Sequence, residues 1–474
     1  MNENINQIDK QDQKYLGKEK LVKLLLRFSI PCIAALLISA LYNIVDQIFI
    51  GNSELGYIGN AATGVSFPVI CIVNAFAFCL GDGAASYLSI CAGKNDTSDI
   101  HKSVGTGIIV TTIIGVLLAV VSIVFAEPLM WLFGASDQSI ELAVDYFIII
   151  AAFFPFYLLT TIINSTIRAD GAPGYAMIAV AVGAVINIIL DPIFIFLFNL
   201  GIEGAALATI IGQVGSFILC AVYLLKPKNF KLNKDSFKID FNVLKELIKL
   251  GGATFFTQIS IVVVSLVSNI LLSRYGEISI YGPDIPMSVF SIQIKAYTIV
   301  NSIVTGIVLG AQPIFGYNYG AKEFTRVKKL YKMVLASTIV IALSATLIFQ
   351  LFPDQIMDLF GSENNPLIYD FAEKTFRIYL SLLTVTCLIK MTAVFFQSIG
   401  KAVQAALSSL IRDIACFSIL AIALSIILEN NKAGTGINGI IYAAPIADAI
   451  ALILILILTI YFFKDLKKTE LESR

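Results

Sequence analysis

Charge is what this chain of 474 residues has least of. Asp, Glu, Lys and Arg together make up 14%, against about a quarter in an ordinary soluble domain. They cluster between long apolar stretches instead of interleaving with them. With 57% hydrophobic residues and a mean hydropathy of +0.85, this excludes an ordinary soluble protein. Lysine and arginine number 33, as do the acids, so no basic domain exists to bind nucleic acid. The single histidine, His101, falls in a polar connection and reads as a solvated surface residue, not a ligand. Seven cysteines (Cys32, Cys71, Cys79, Cys91, Cys220, Cys387 and Cys416) lie in or beside apolar runs without paired spacing. They read as buried small hydrophobes and exclude a disulfide or zinc framework. No HExxH, nucleophile motif or nucleotide loop is found, and Gly-Asp-Gly at 81–83 reads as a helix-breaking element beside Asp82. An enzyme is therefore not expected, nor any cofactor.

What is present is length of apolar run. Stretches of the roughly 20 residues a spanning helix needs fall near 24–50, 59–92, 103–126, 142–166, 172–198 and 202–225. Six more fall near 245–273, 286–317, 326–352, 371–396, 403–428 and 437–463. The expected fold is an all-α polytopic membrane protein with twelve transmembrane helices in two pseudo-symmetric six-helix lobes around a central cavity. Its divisions are a tail at 1–23, a lobe at 24–225, a linker at 226–244, a lobe at 245–463 and a tail at 464–474. Lysine and arginine concentrate in the connections after even-numbered helices, above all in "KPKNFKLNKDSFKID". By the positive-inside rule the linker and both termini are cytoplasmic. The polar N-terminal stretch lacks a short apolar core with a cleavage site, so it is expected to be a cytoplasmic tail and not a signal peptide.

The halves repeat. "GAASYLSICAG" at 83–93 stands opposite "GAQPIFGYNYG" at 310–320, and "LFGAS" at 132–136 opposite "LFGSE" at 359–363. One offset of 227 residues, from Gly83 to Gly310, also pairs Gly93 with Gly320, Lys102 with Lys329 and Phe133 with Phe360. Six helices per half is an even number, so the repeats share an orientation and an axis along the membrane normal.

Inside these runs ionisable residues are rare, because centring one costs about 2.5–3.5 kcal/mol even on a lenient scale. "INIILDPIFIF" at 186–196 holds Asn187, Asp191 and Pro192. Asn187 and Asp191 share a helix face at four-residue spacing, and Pro192 withholds an N–H from the carbonyl of Ile188. A proline kink with a locally bonded carboxylate would explain this stretch as well as a site would. The first helix favours a site. In "LLISALYNIVDQIFIG", Ser39, Tyr42, Asn43 and Asp46 fall within about 100° of one another. Thr209 and Gln213 pair at the same spacing in the sixth helix, and Thr160, Asn164 and Arg168 share a face of the fourth. A chamber of oxygen ligands of this kind binds a proton or a small hard cation. The second half differs, with Asn269 in the place of Asp46 and Leu420 near that of Asp191. Its own buried polar groups are Gln258, Lys295, Lys390, Arg412, Asp413 and Asp448. Arg412 and Asp413 read as a local pair, Lys295 as a residue snorkelling outward, and Asp448 as counter-charge to Lys295 or Lys390. An ion-coupling site is therefore expected in the first half alone.

At these residues the chain resembles the multidrug and toxic compound extrusion (MATE) transporters, in particular the bacterial group of the DinF and MepA proteins. The resemblance spans about 24–463 and rests on "YNIVDQIFIG", "GDGAASYLSICAGK", "NIILDPIFIF", "GIEGAALAT", "LGAQPIFGYNYGAK" and "GINGIIYAAPIAD", in order. It implies that Asp46 and Asp191 couple transport to a cation, H+ or Na+, with Tyr42, Asn187 and Thr209 completing the site. A Na+ ion would be held at Asp46, Asp191, Asn187 and Thr209. Another branch of the family has a glutamate in the seventh helix, where this chain offers Gln258. Ser39, Asn43, Asn164, Gln213 and Gln258 are candidates for the cavity lining. The function implied is exchange of H+ or Na+ for bulky, often cationic amphipathic compounds, by a monomer in the cell membrane. A flippase of lipid-linked saccharides, of the same superfamily, is the alternative. It would need a strongly cationic cavity, and buried bases here are few and mostly in the second half.

Overall fold

A computed structural model describes residues 14–472 apart from 54, 95, 231, 283 and 360–364. It contains no strand among the described residues. Ten helices are long and apolar enough to cross a membrane and two bent pairs supply two further spans, making a multi-pass membrane protein of twelve. The first six are α1 (Leu21–Gly51), α2 (Gly56–Lys94), α3 (Thr97–Val124), α4 (Ile140–Ala152 with Phe154–Ala169), α5 (Pro173–Pro192) and α6 (Gly201–Leu225). The second six are α7 (Phe241–Glu277), α8 (Asp284–Gly320), α9 (Phe324–Leu351), α10 (Pro366–Lys374 with Leu383–Ser398), α11 (Ala402–Leu410 with Ile419–Asn431) and α12 (Ile437–Glu472). Helical hydrogen bonding satisfies each backbone group within its own segment, which an apolar solvent demands. At 39, 37 and 37 residues, α2, α7 and α8 exceed the hydrocarbon thickness and must tilt or project beyond it.

Two spans expected as single runs are broken. The α4 pieces meet at 51° around Phe153, where Pro155 begins the second piece without an N–H to continue the ladder. The α10 pieces meet at 48° after a π-helical turn, Thr375–Tyr379, whose wider pairing shifts the register. The sequence repeat is visible in these details. Advancing the bounds of α3 by the same 227 positions gives those of α9, and the short helix Ala126–Leu132 becomes Pro353–Leu359. The break after Ala152 likewise becomes one after Tyr379. Of the "LFGSE" motif only Leu359 lies within the described residues. Phe360, Gly361, Ser362 and Glu363 fall outside them, as do most of 1–23 and the last residues of 464–474.

By packing, the chain forms two compact units. The first is Met1–Gln258 with Leu309–Val327 and Gln397–Ala402; the second is Ile259–Val308 with Lys328–Phe396 and Val403–Arg474. In the first unit, helices from both sequence halves cross on glycine. A Cβ on Gly83 would overlap the Leu247 carbonyl, and one on Gly251 the Cys79 carbonyl. Gly310, the repeat partner of Gly83, sits equally tightly on Ser29 of α1. Gly93 and Gly320, partners under the repeat, pack against each other's helices, and Gln312 donates to Ser86 Oγ at 3.0 Å. Equivalent positions thus meet each other, as a two-fold relation between repeats requires. Gly-Asp-Gly at 81–83 therefore does not break its helix: α2 runs straight through it, and the glycines give neighbouring helices room.

The end of this unit near the N-terminal tail is tied by polar contacts. A short helix, Lys14–Lys18, buries Leu16, and the carbonyls of Leu16 and of Glu19 just beyond it face α8 and the first turn of α9. Arg326 Nη2 donates to Leu16 O and Glu19 O at 3.1 and 2.8 Å, and Asn318 Nδ2 to Leu16 O at 3.1 Å. Asp170 accepts from the Tyr223 hydroxyl and from the N–H groups of Lys228 and Asn229 at 2.7, 2.8 and 3.0 Å. Asp240 is held below the usual carboxylate range by the Val243 N–H and by Lys102. His101 sits half-buried near the start of α3 and not in a connection, which corrects its expected setting. All seven cysteines are free, six of them buried.

The glycine crossing yields a matched test. Gly251→Ala should cost about 1–3 kcal/mol, since backbone meets backbone and nothing soft can yield. Gly252→Ala, whose Cβ would meet nothing within 4 Å, should keep or raise stability, by up to about 1 kcal/mol, since Ala is the better helix former. Thermal unfolding of the two purified variants in one detergent measures the difference.

Candidate functional site

The stretch from Asn187 to Pro192 builds one wall. Asn187 is 2% exposed and Asp191 is fully buried. Asn187 Nδ2 donates to Asp191 Oδ1 at 3.1 Å and approaches Thr209 Oγ1 of α6 at 3.4 Å. Pro192 ends the regular helix, and a π-helical turn, Ile193–Leu197, succeeds it directly. A missing N–H shifts the pairing in this way. The opposite wall is α1, which packs along α5 and whose Asp46 is buried in the neighbourhood of the Asp191 carboxyl. Tyr42, one turn away, lies close to both.

Two bare carboxylates cannot rest in this arrangement. Two like charges about 4 Å apart at an effective dielectric of about 20 repel by about 4 kcal/mol, and burying each charge adds a further cost. Asp46 Oδ1, Asp191 Oδ2 and Asn187 Oδ1 are all buried without a hydrogen-bond donor. Each is an unpaired buried acceptor, a kind of group that a proton or a hard cation can satisfy, because a buried polar group left unpaired is costly. The donor set is oxygen throughout, two carboxyls with an amide, a hydroxyl and a phenol. It suits a proton or a singly charged hard cation and offers nothing to a soft metal. Among the described residues no group of three or more His, Cys, Asp or Glu gathers elsewhere as a metal site.

A cavity of about 1070 Å³, counted with its mouth, leads to this pair within the first unit. It runs along α5 from Pro173 to Asn187, roughly 21 Å at 1.5 Å per residue. Ser39, Tyr42, Asn164, Asn187, Thr209 and Gln213 line it. Asp46 and Asp191 are seated behind that lining. Two expected lining residues are not in it. Asn43 is exposed, its amide folded back onto the Ser39 carbonyl of its own helix at 2.6 Å. Gln258 is half-buried on α7, away from this lining. Sequence spacing alone missed Tyr146, buried beside Asp46, Tyr42 and Asp191, because a lone tyrosine in an apolar helix carries no pattern. It also missed Asp82, whose carboxylate meets Arg168 Nη2 at 3.4 Å.

The polar residues of the second half form a separate group within the second unit. Arg412 Nε donates to Asp448 Oδ1 at 2.8 Å and Nη1 to Asp413 Oδ1 at 2.7 Å, while Thr386 donates to Asp448 Oδ2 at 2.9 Å. Asp448 is thus the counter-charge of Arg412 and not of Lys295 or Lys390. Lys390 instead donates to Asn301 Oδ1 at 2.9 Å and lies over the Tyr297 ring; Lys295 is half-buried on α8.

With this geometry in view, comparison with known proteins is direct. A family model described as MatE matches residues 31–193 and 253–430. The multidrug export protein MepA of Staphylococcus aureus (strain MSSA476) is 25% identical over 452 residues, 95% of this chain and 96% of that protein. MepA of Staphylococcus haemolyticus (strain JCSC1435) is 24% identical over 437 residues, 92% of each. Among solved structures, the outward-facing conformation of a multidrug resistance MATE family transporter of the MOP superfamily superposes with a TM-score of 0.87. It is 23% identical, over 97% of this chain and 99% of that one. A MATE structure in a bent conformation gives 0.84 at 23% identity, covering 98% of each chain.

The Arg412–Asp448 pair separates polar groups that hold the fold from those that would serve a ligand. Arg412→Met should cost about 3–5 kcal/mol by stranding a buried carboxylate. The double variant Arg412→Met/Asp448→Leu should recover only part of that loss, because Asp413 still loses its partner, whereas adding Asp413→Asn should recover more. Melting temperatures of these proteins check this.

Proposed function

The chain belongs to the MatE family, and from that membership we propose that it exports bulky, often cationic amphipathic compounds in exchange for H+ or Na+ by alternating access. The observation that carries the reading is the trio of orphan oxygens on Asp46, Asp191 and Asn187. Such a site accepts one positive charge from either side in turn and releases it when the lobes change state. The MepA relatives are named as multidrug exporters, which supports small organic compounds as cargo. A carrier, and not an enzyme, is the corresponding role, with the cation as co-substrate.

Energy for the exchange comes from the membrane. One charge moving through 100 mV releases about 2.3 kcal/mol, and about 1.4 kcal/mol sustains each tenfold ratio of concentration. Exchange demands that cation and compound prefer different states, because a ligand binding both equally shifts nothing. Charging the pair removes the repulsion between Asp46 and Asp191 and frees α1 and α5 to repack. On this reading both termini and the 226–244 linker lie in the cytoplasm, and the lobes 24–225 and 245–463 rock about the repeat axis. The cavity wall favours this over saccharide-lipid flipping, which calls for unpaired cations. Arg168 is the one charged residue among the described lining residues, and it is paired with Asp82.

Reconstituted vesicles with H+ and Na+ gradients imposed separately test the proposal. Asp46→Asn and Asp191→Asn should each abolish gradient-driven dye efflux, by at least about a hundredfold if about 2.8 kcal/mol of coupling is lost, while folding is kept. Gln258→Ala should stay within about threefold of wild type, since about 0.6 kcal/mol is typical of a residue outside the site. Efflux at wild-type rates from both aspartate variants would refute the assignment.

A further inference from the structure

A continuous chain of hydrogen bonds joins α5, at a point eleven residues before Asn187, to the glycine crossing of α2 and α7. It begins on α5, the helix that carries Asn187 and Asp191. The Ala176 carbonyl of that helix accepts from Asn164 Nδ2 of α4 at 2.9 Å. Asn164 Oδ1 accepts from Arg168 Nη1 at 3.0 Å, and Arg168 Nη2 donates to Ser165 Oγ at 3.0 Å and reaches Asp82 Oδ1 of α2 at 3.4 Å. The other oxygen of Asp82 faces the Thr254 hydroxyl of α7 at 3.4 Å. Asp82 immediately precedes Gly83, and Thr254 lies three residues after Gly251, the pair on which these helices cross.

Three features mark this chain as movable. Charge-assisted N–H···O bonds close to about 2.7–2.9 Å when locked, and the Arg168–Asp82 separation of 3.4 Å is well short of that. Arg168 Nε is buried without an acceptor, while the residue lines the cavity, so the guanidinium has a spare donor. Thr254 Oγ1 accepts from Gln397 Nε2 at 2.9 Å, and its one hydroxyl proton has two acceptors in reach, Asp82 Oδ2 at 3.4 Å and Gln397 Oε1 at 3.2 Å. It serves one at a time. A buried ion pair adds little stability over a well-packed apolar pair, and its best-attested use is to fix a register or a switch.

We propose that Asn164, Arg168, Asp82 and Thr254 link the charge state of the Asp46–Asp191 site to closure of the α2–α7 crossing, with Arg168 as the positioning residue at its pivot. The inference rests on the alternating-access reading above. When the cation site fills and α5 shifts, the Ala176 carbonyl moves Asn164, and Arg168 goes with it, away from Asp82. The Thr254 proton then turns to Gln397, and α2 and α7 are free to part.

Cys79, whose carbonyl packs on Gly251, reports the crossing. The full-length protein, with all seven cysteines kept, is reconstituted and exposed to a membrane-impermeant maleimide on the tail side. Labelling at Cys79 is read by peptide mass spectrometry with and without a cation gradient. Wild type should change its labelling rate by at least about fivefold, the low end of ordinary coupling between sites. Arg168→Gln should lose that response, and Arg168→Lys, which keeps a charge opposite Asp82, should recover part of it. Asp82→Asn/Arg168→Gln should be no worse than either single change, as for residues acting through one contact. An intact cation response in Arg168→Gln, or losses that simply add, overturns the link. A wild type that exports dye with no response at Cys79 overturns the link alone; one that neither exports nor responds sinks the underlying reading as well.

Discussion

Two carboxyl groups pressed together in an apolar bundle set the terms for the rest of this molecule. Asp46 and Asp191 come from helices far apart in the chain, and each is withdrawn from solvent behind Tyr42, Asn187 and Thr209. Their proximity is unfavourable unless a positive charge joins them. The fold therefore has to supply stability from elsewhere. It does so with helices that satisfy their own backbones and with close crossings on Gly83, Gly251 and Gly310. A site under electrostatic tension inside a well-packed scaffold responds to a single charge, whereas a relaxed site would not.

The two halves divide the polar work. In the first unit the acids sit behind the lining of a cavity along α5 and keep acceptors open. In the second, Arg412, Asp413, Asp448 and Thr386 satisfy one another at 2.7–2.9 Å. Open acceptors belong to groups that exchange partners, and closed networks to groups that hold helices in place. The π-helical turns at Ile193–Leu197, Thr375–Tyr379 and Ile411–Ser418 lie beside both kinds of group. There the backbone trades regular pairing for a local change in side-chain direction.

Much of this was legible in the chain itself. Apolar runs located the twelve spans within a few residues, because bilayer thickness leaves little freedom. The four-residue spacing of Asn187 and Asp191, and of Thr209 and Gln213, identified faces that do meet. Asn43 shows the limit. Helical angle places it near the polar stripe, yet its amide bonds its own backbone, a choice made by the rotamer and not by spacing. Gly-Asp-Gly was misread because glycine in a soluble helix signals a break, while in a membrane it signals close approach. The bends in α4 and α10, the partner of Asp448 and the role of Tyr146 depend on contacts between segments that no local pattern encodes.

The meeting of Gly93 with Gly320 carries a consequence for how such a chain can diverge. Positions related by the repeat touching at a shared axis are the contact set of a two-fold homodimer, here written into one polypeptide. In a true homodimer every substitution appears twice, so an acid pair in one subunit would be copied into the other. Covalent fusion removes that constraint. One half can then keep Asp46 while the position 227 residues on carries Ser273, and a symmetric scaffold can hold a single-sided charge.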